Sequence, residues 1–202
     1  MKSIRNKKKE ATRDAIIEAA RTLFLEHGYE GTTTDDIANR ADVGTGTVFN
    51  YFDSKADILI DAFANDFMEE MDQQEITLQE QDLNKAASEL VFQFIYKRMN
   101  RYLLVSKKIL RPLMNVSLYM SNPERLKKMI DLDFMFVDEL IHYLNQLKEK
   151  SVLPEDFAAN QAAEVIYSSL AFEFLLYLYH DEIGKEALYD GIKAKLNFIM
   201  RG

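Results

Sequence analysis

Apolar positions along this chain recur mostly at three- and four-residue spacings, the pattern of helices that bury one face. Ala15, Ile16, Ala19, Ala20, Leu23 and Phe24 form the first stripe, and His27-Gly28 supplies a stop, because glycine takes the left-handed cap without strain. The first helix is therefore predicted over about 8–27. Thr33 with Asp36 three residues on reads as a near capping box for a short second helix that buries Ile37, Ala38 and Ala41. Asp42 and Val43 make a turn, Gly44 caps a third helix over about 45–51, and Ser54 caps a fourth whose Ile58, Leu59, Ala62, Phe63 and Phe67 face inward.

The pattern continues to the end of the chain. One helix is predicted over about 85–105, with Ala87, Val91, Phe94, Tyr102 and Val105 along its inner stripe. In "LRPLMN", Pro112 interrupts the next one, since proline restricts Arg111 and removes a backbone donor. Asn122-Pro123 starts a long helix to about Lys148, with Leu126, Ile130, Phe134, Val137, Ile141 and Leu144 on one face. Two more are predicted over about 155–180 and 184–200. No alternating strand pattern ends in a hairpin turn, so the fold class is all-α.

Composition adds limits. With 48% of its 202 residues apolar the chain can bury a real core, and with no cysteine it has neither disulfides nor thiolate metal sites. Glu18, Arg21 and Glu26 break the apolar positions after the basic start, which a signal-peptide core does not tolerate. No uninterrupted apolar run is of membrane length, since even "LAFEFLLYLY" contains Glu173, so no membrane partner and a cytoplasmic location are expected.

The net charge of −8 argues against nucleic acid, but its distribution does not. Residues 1–13 carry six Lys/Arg (Lys2, Arg5, Lys7, Lys8, Lys9, Arg13) against Glu10, while residues 56–84 carry nine acids and no base. A polyanion is thereby steered to the N-terminal end; a solvated tail would look the same. The stretch "DVGTGTVFNYFDSK" beside it sets two glycines and two threonines at the head of a short helix, although glycine in a helix costs roughly 1 kcal/mol against alanine. In a helix-turn-helix the second short helix enters the major groove by its N-terminal end. Gly44 and Gly46 would then let the backbone approach, Thr45 and Thr47 would offer hydroxyls to base edges and methyls to thymine, Val48 and Phe52 would anchor the helix, and Tyr51 and Lys55 would reach phosphates. The competing explanation is a small helix packed on a core, with its glycines at close contacts.

Residues 10–63, above all "LFLEHGYEGTTTDDIANRADVGTGTVFNYFDSKADIL", resemble the DNA-binding domain of the TetR family of transcriptional regulators. The GY, TT and DDIA elements, the V-x-x-GT-x-x-x-YF block and the following K-x-x-LL-like segment occur in order at the family spacing. The resemblance implies a three-helix helix-turn-helix domain over residues 1–53 with a basic N-terminal arm, and a helical effector-binding and dimerisation domain over 54–202 whose first helix, 54–74, connects the two. It assigns DNA contacts to Thr33, Thr45, Gly46, Thr47, Phe49, Asn50, Tyr51 and Lys55. Asp42 stands where the turn usually has glycine, and Thr45 where many members have lysine or arginine, so an arginine-to-guanine contact there is not expected and an operator sequence does not transfer.

Beyond residue 63 the likeness is one of layout. From Val165 to Tyr179 apolar residues run almost round the helix, which must be covered on both sides, by a core and a subunit interface or by core alone. The interface expected on the family layout takes Val165, Ser169, Phe172, Leu176, Tyr179, Leu188, Ile192, Leu196 and Ile199, giving a homodimer on a pseudo-palindromic operator. Arg98 lies within an apolar stripe and needs a partner, either Asp133 in a structural ion pair or the anionic group of an amphipathic effector. Phe94, Met99, Tyr102, Leu113, Met114, Met120, Phe134 and Tyr143 are the candidate wall of that effector site. A helical-bundle enzyme is the alternative in another class, but "ELIH" is the only Glu-x-x-His motif, with Glu139 and His142 turned from the Val137 stripe toward solvent; a helical adaptor that does not bind DNA is a second. The expectation is a ligand-responsive repressor without metal, cofactor or catalytic residues.

Overall fold

The computed structural model describes residues 4–71, 78, 80–100, 102–118 and 123–201. Among these, the regular elements are helical: α1 Ile4–His27, α2 Thr34–Arg40, α3 Thr45–Phe49, α4 Lys55–Met71, α5 Ala87–Met99, α6 Lys107–Leu118, α7 Pro123–Glu149, α8 Ala159–Tyr179 and α9 Lys185–Ile199, with short 3-10 turns at Glu80–Asn84 and Tyr102–Leu104. The chain divides into two compact units, one of residues 1–73 and 105–119, the other of residues 74–104 and 120–202.

In the first unit α1 packs on α2 and α4, α2 on α3, and α4 on α6. Ile16, Ala20, Phe24, Ile37, Val48, Phe52, Ile58, Leu59 and Phe63 are among its buried side chains. A boundary at residue 54 therefore does not describe this unit: α4 buries Ile58, Leu59, Ala62 and Phe63 here, and α6 belongs to it although it begins only at Lys107. Pro112 does not interrupt α6. One absent N–H is a small loss beside the burial of Ile109, Leu110 and Leu113, so packing carries the helix through the proline.

The second unit is built on α8, which packs on α7 and α9, with α5 against α9. Its core holds Leu90, Val91, Phe94, Ile95, Leu140, Tyr143, Leu144, Leu147, Ala163, Ile166, Leu170 and Tyr177 together with Leu188, Ile192 and Leu196. Phe92 and Tyr96 of α5 meet Tyr189 of α9, edge to face at 6.0 Å and tilted at 5.0 Å. The helix expected over 85–105 ends at Met99, capped by Asn100, and α8 starts at Ala159 after a turn in which Phe157 N–H donates to the Pro154 carbonyl. By length and composition α8 does reach what a bilayer span requires, with mean hydropathy 1.2 over eighteen residues, despite Glu173. That corrects the length argument from sequence. Inside the unit Glu173 is 8% exposed and paired with Lys195 of α9, and one side of α8 is core.

Candidate nucleic-acid interface

The turn before α2 is fixed locally. Gly28 adopts φ +77° and ends α1, and the buried Thr32 hydroxyl donates to the Gly28 carbonyl at 2.9 Å. Thr33 caps α2 through a full capping box: Asp36 N–H donates to Thr33 Oγ1 at 3.1 Å, and both Thr33 N–H and Thr33 Oγ1 donate to Asp36 Oδ2, at 2.9 and 2.6 Å. The two bonds from Thr33, side chain first and backbone second, hold the Asp36 carboxyl below its ordinary range. A carboxyl lowered on folding stabilises the native state fully above its unfolded pKa, ~3.9, and loses that contribution as pH falls from there through the lower folded value. The gap in thermal midpoint between the wild-type chain and Asp36→Asn is therefore expected to shrink between pH 5 and pH 3, about the pH span of that titration.

Asp42 makes the following turn at φ +54°. Aspartate tolerates this region better than alanine but less well than glycine. Asp42→Ala is expected to destabilise the chain by about 1 kcal/mol while Asp42→Gly does not, which parallel thermal melts check.

α3 then presents its two sides differently. Val48 and Phe52 are buried, and behind them Arg13 of α1 pairs with Asp61 of α4 and lies 5.4 Å over the Phe52 ring. On the outer side Gly46 and Asn50 are exposed, and Phe49 is 53% exposed. A Cβ on Gly46 would meet nothing within 4 Å, and one on Gly44 only the Thr47 hydroxyl at 3.9 Å. Among the described residues no close contact requires either glycine. Thr45 and Thr47 are half-buried, and Thr45 Oγ1 donates to Asp35 Oδ1 at 2.6 Å. The helix ends at Phe49, with Asn50 as its cap, so Tyr51 lies in the turn after it.

Lys55, the expected phosphate contact, has partners within its own unit. Its ammonium donates to the carbonyls of Tyr29 and Thr32, each at 2.8 Å, and sits 4.2 Å from the Tyr29 ring centroid. The cation beside Tyr51 is instead Lys9, 6.0 Å from its ring centroid. Lys9 falls within the helix predicted over about 8–27, but α1 begins earlier, at Ile4, so that Arg5, Lys9 and Arg13 fall at i, i+4 spacing along one side of it.

The effector-site candidates separate. Phe94 stacks on Tyr143 at 4.9 Å, Arg98 lies 6.0 Å over Phe94, and Met99 packs against the same core. Burial pushes the Tyr143 phenol up to about 12. Leu113 and Met114, however, sit on α6 in the first unit, Tyr102 opens a 3-10 turn, Met120 lies outside the described residues, and Phe134 is 64% exposed rather than inward. The stripe along α7 is buried only toward its C-terminal half, so Ile130 and Phe134 face out. Arg98, 8% exposed, pairs not with Asp133 but with Glu139 at 2.8 Å, which turns Glu139 away from solvent. His142 is exposed beside Gln146, and among the described residues no group of three or more His, Cys, Asp or Glu is gathered for a metal.

The interface candidates divide as well. Leu188, Ile192 and Leu196 point into the core of the second unit, because their single stripe on α9 is used against α5 and α8. Ile199 packs at the edge of that core. Val165, Phe172 and Tyr179 face out along α8, with Ser169 and Leu176 half-buried between them; Leu175 of α8 and Phe198 of α9, which the sequence reading missed, are exposed as well. An open groove of about 460 Å3 runs along this face, lined by Glu164, Val165, Ser168, Ser169, Phe172 and Lys195.

Comparison with known proteins follows this division. Residues 16–62 match the profile of "Bacterial regulatory proteins, tetR family". The chain is 41% identical over 54 residues to the uncharacterised HTH-type transcriptional regulator YdeS of Bacillus subtilis, a match covering 27% of each chain. It is 48% identical over 46 residues to IcaR, the negative transcriptional regulator of the biofilm operon in Staphylococcus aureus, covering 23% of this chain and 25% of IcaR. These matches thus span about a quarter of those relatives. Across nearly the whole length the fold is similar to two solved structures: Thermus thermophilus FadR, a TetR-family transcriptional repressor in complex with lauroyl-CoA (23% identity, TM-score 0.60, 94% of each chain), and the regulator FadR of Bacillus subtilis in complex with stearoyl-CoA (22%, 0.60, 93% and 97%).

Proposed function

We propose that this chain, whose residues 16–62 match the TetR-family profile, is a dimeric, effector-responsive DNA-binding regulator acting in the cytoplasm, a repressor that leaves a pseudo-palindromic operator when a small apolar molecule binds. The observation that carries this reading is the bare outer side of α3, where a Cβ on Gly46 would meet nothing within 4 Å among the described residues while Phe49 and Asn50 stand exposed. A helix that accepts a glycine without an internal reason has an external one, and close approach to a groove is the contact such a surface suits. Thr45, Gly46, Thr47, Phe49 and Asn50 then face base edges. Thr33 and Tyr51 flank the backbone, with Lys9 supplying the phosphate contact in place of Lys55.

The outward row of Val165, Phe172 and Tyr179 is taken by a second copy of the chain, so that two α3 helices meet successive turns of one DNA face. The two solved relatives hold acyl-CoA; for this chain the effector is proposed only as a small apolar molecule against the Phe94–Tyr143 wall. The Arg98–Glu139 pair makes a structural role for Arg98 the better account of that buried charge. Effector and operator are coupled by a shift between dimer states, in which the apolar molecule favours the one with the α3 helices out of register.

The deciding measurement is binding of the purified chain to the intergenic DNA flanking its gene, titrated at two or more salt concentrations. Salt-sensitive, sequence-selective association is expected. Its absence across those fragments overturns the regulator and leaves the helical adaptor standing.

A further inference from the structure

One hydrogen bond on the α3 face fixes which partner a base-reading hydroxyl can take. Thr45 Oγ1 lies 2.6 Å from Asp35 Oδ1. An ionised carboxylate only accepts, so the threonine proton lies on that line, and the length is that of a charge-assisted O–H···O⁻ bond. A hydroxyl has a single proton. With it committed to Asp35, Thr45 presents only lone pairs outward.

The two acids of the first turn of α2 have separate roles. Asp36 closes the capping box with Thr33, leaving that cap nothing to draw from Asp35. Asp35 reaches across to the first residue of α3 instead. An exposed carboxylate on a surface meant for a polyanion opposes binding by its charge, so its presence there needs an explanation other than affinity.

We propose that Asp35 is a specificity-determining residue: it holds Thr45 as an obligate acceptor, which in the major groove takes a base amino group, adenine N6 or cytosine N4, and rejects the acceptor atoms guanine O6 and thymine O4. This rests on the DNA-binding reading above and adds to it a stated polarity at one position of each half-site.

Selection of bound DNA from a randomised pool by the full chain tests it, with the wild type compared with Asp35→Ala, Thr45→Val and Thr45→Ser. At the position facing Thr45, discrimination against the wrong base is expected to fall about tenfold in both Asp35→Ala and Thr45→Val, while the rest of the motif is kept. Thr45→Ser retains the hydroxyl and its acid, and keeps the preference. Replacing the selected adenine by purine, or the selected cytosine by 2-pyrimidinone, removes the amino group, and should weaken the wild type about tenfold but Asp35→Ala much less. An Asp35→Ala motif identical to the wild type, or one altered evenly at every position, overturns the inference and leaves the regulator intact. A wild-type chain that selects no sequence overturns both.

Discussion

Lys55→Met is expected to lower thermal stability and to leave the salt dependence of DNA binding unchanged, whereas Lys9→Ala does the reverse. The ammonium of Lys55 closes the connection between α1 and α2, donating to the Tyr29 and Thr32 carbonyls and lying against the Tyr29 ring. Methionine keeps the stem but leaves two carbonyls without this donor. Hydrogen bonds from a charged group contribute about 1.5–3 kcal/mol each when protected. The half-exposed setting of Lys55 brings the pair down to roughly 2 kcal/mol, or about 5 °C in midpoint for a chain of this size. Lys9, by contrast, lies on the exposed early turns of α1 beside Tyr51. A cation that neutralises one phosphate contributes about 0.9 unit to the slope of log affinity against log salt, so Lys9→Ala should lose about one unit for each subunit bound while the melting curve stays in place. A Lys55→Met chain that melts like the wild type but loses salt slope reverses the assignment.

What was legible in the sequence was local. The capping box of Thr33 and Asp36, the glycine stop after His27 and the positive φ at Asp42 each depend on residues within four positions, and a one-dimensional reading reaches that far. The partners of long side chains depend on how elements cross. Lys55 finds carbonyls 23 and 26 residues away, and Arg98 finds Glu139 rather than Asp133 because the register between α5 and α7 decides which carboxylate comes within reach. Periodicity locates the stripe on α7 but not where its burial ends, so Phe134, a wall residue by spacing, is surface. The same limit governs α9: the spacing of Leu188, Ile192 and Leu196 announces one buried face without saying whether a core or a second subunit covers it, and here α5 and α8 take it. Only then does the outward side of α8 stand out as an exposed apolar row.

That division gives the largest expected effect in the molecule. Phe172→Arg should convert a dimer into a folded monomer, while Ile192→Glu should unfold the chain. Phe172 is 55% exposed, so nothing in the core of the second unit depends on its ring, and helical content should be unchanged. Arginine is chosen over glutamate because Lys195 already lies 5.6 Å over the Phe172 ring, and an introduced carboxylate would find it. A second cation finds repulsion instead, and in a twofold interface it meets the same pair from the other subunit. An unpaired ion buried at such a contact costs about 3–5 kcal/mol, which raises the dissociation constant by two to three orders of magnitude or more, taking about 1.4 kcal/mol for each factor of ten. Equilibrium sedimentation of the two chains reads this directly. Operator affinity should fall with it, because the second half-site is engaged at high effective concentration only while the subunits are joined. Ile192, at 1% exposure, allows no such separation of assembly from folding. A wild-type chain that is monomeric at micromolar concentration, or a Phe172→Arg chain that remains a dimer, removes this face as the interface, and the two-half-site mechanism would then need another surface to join its subunits.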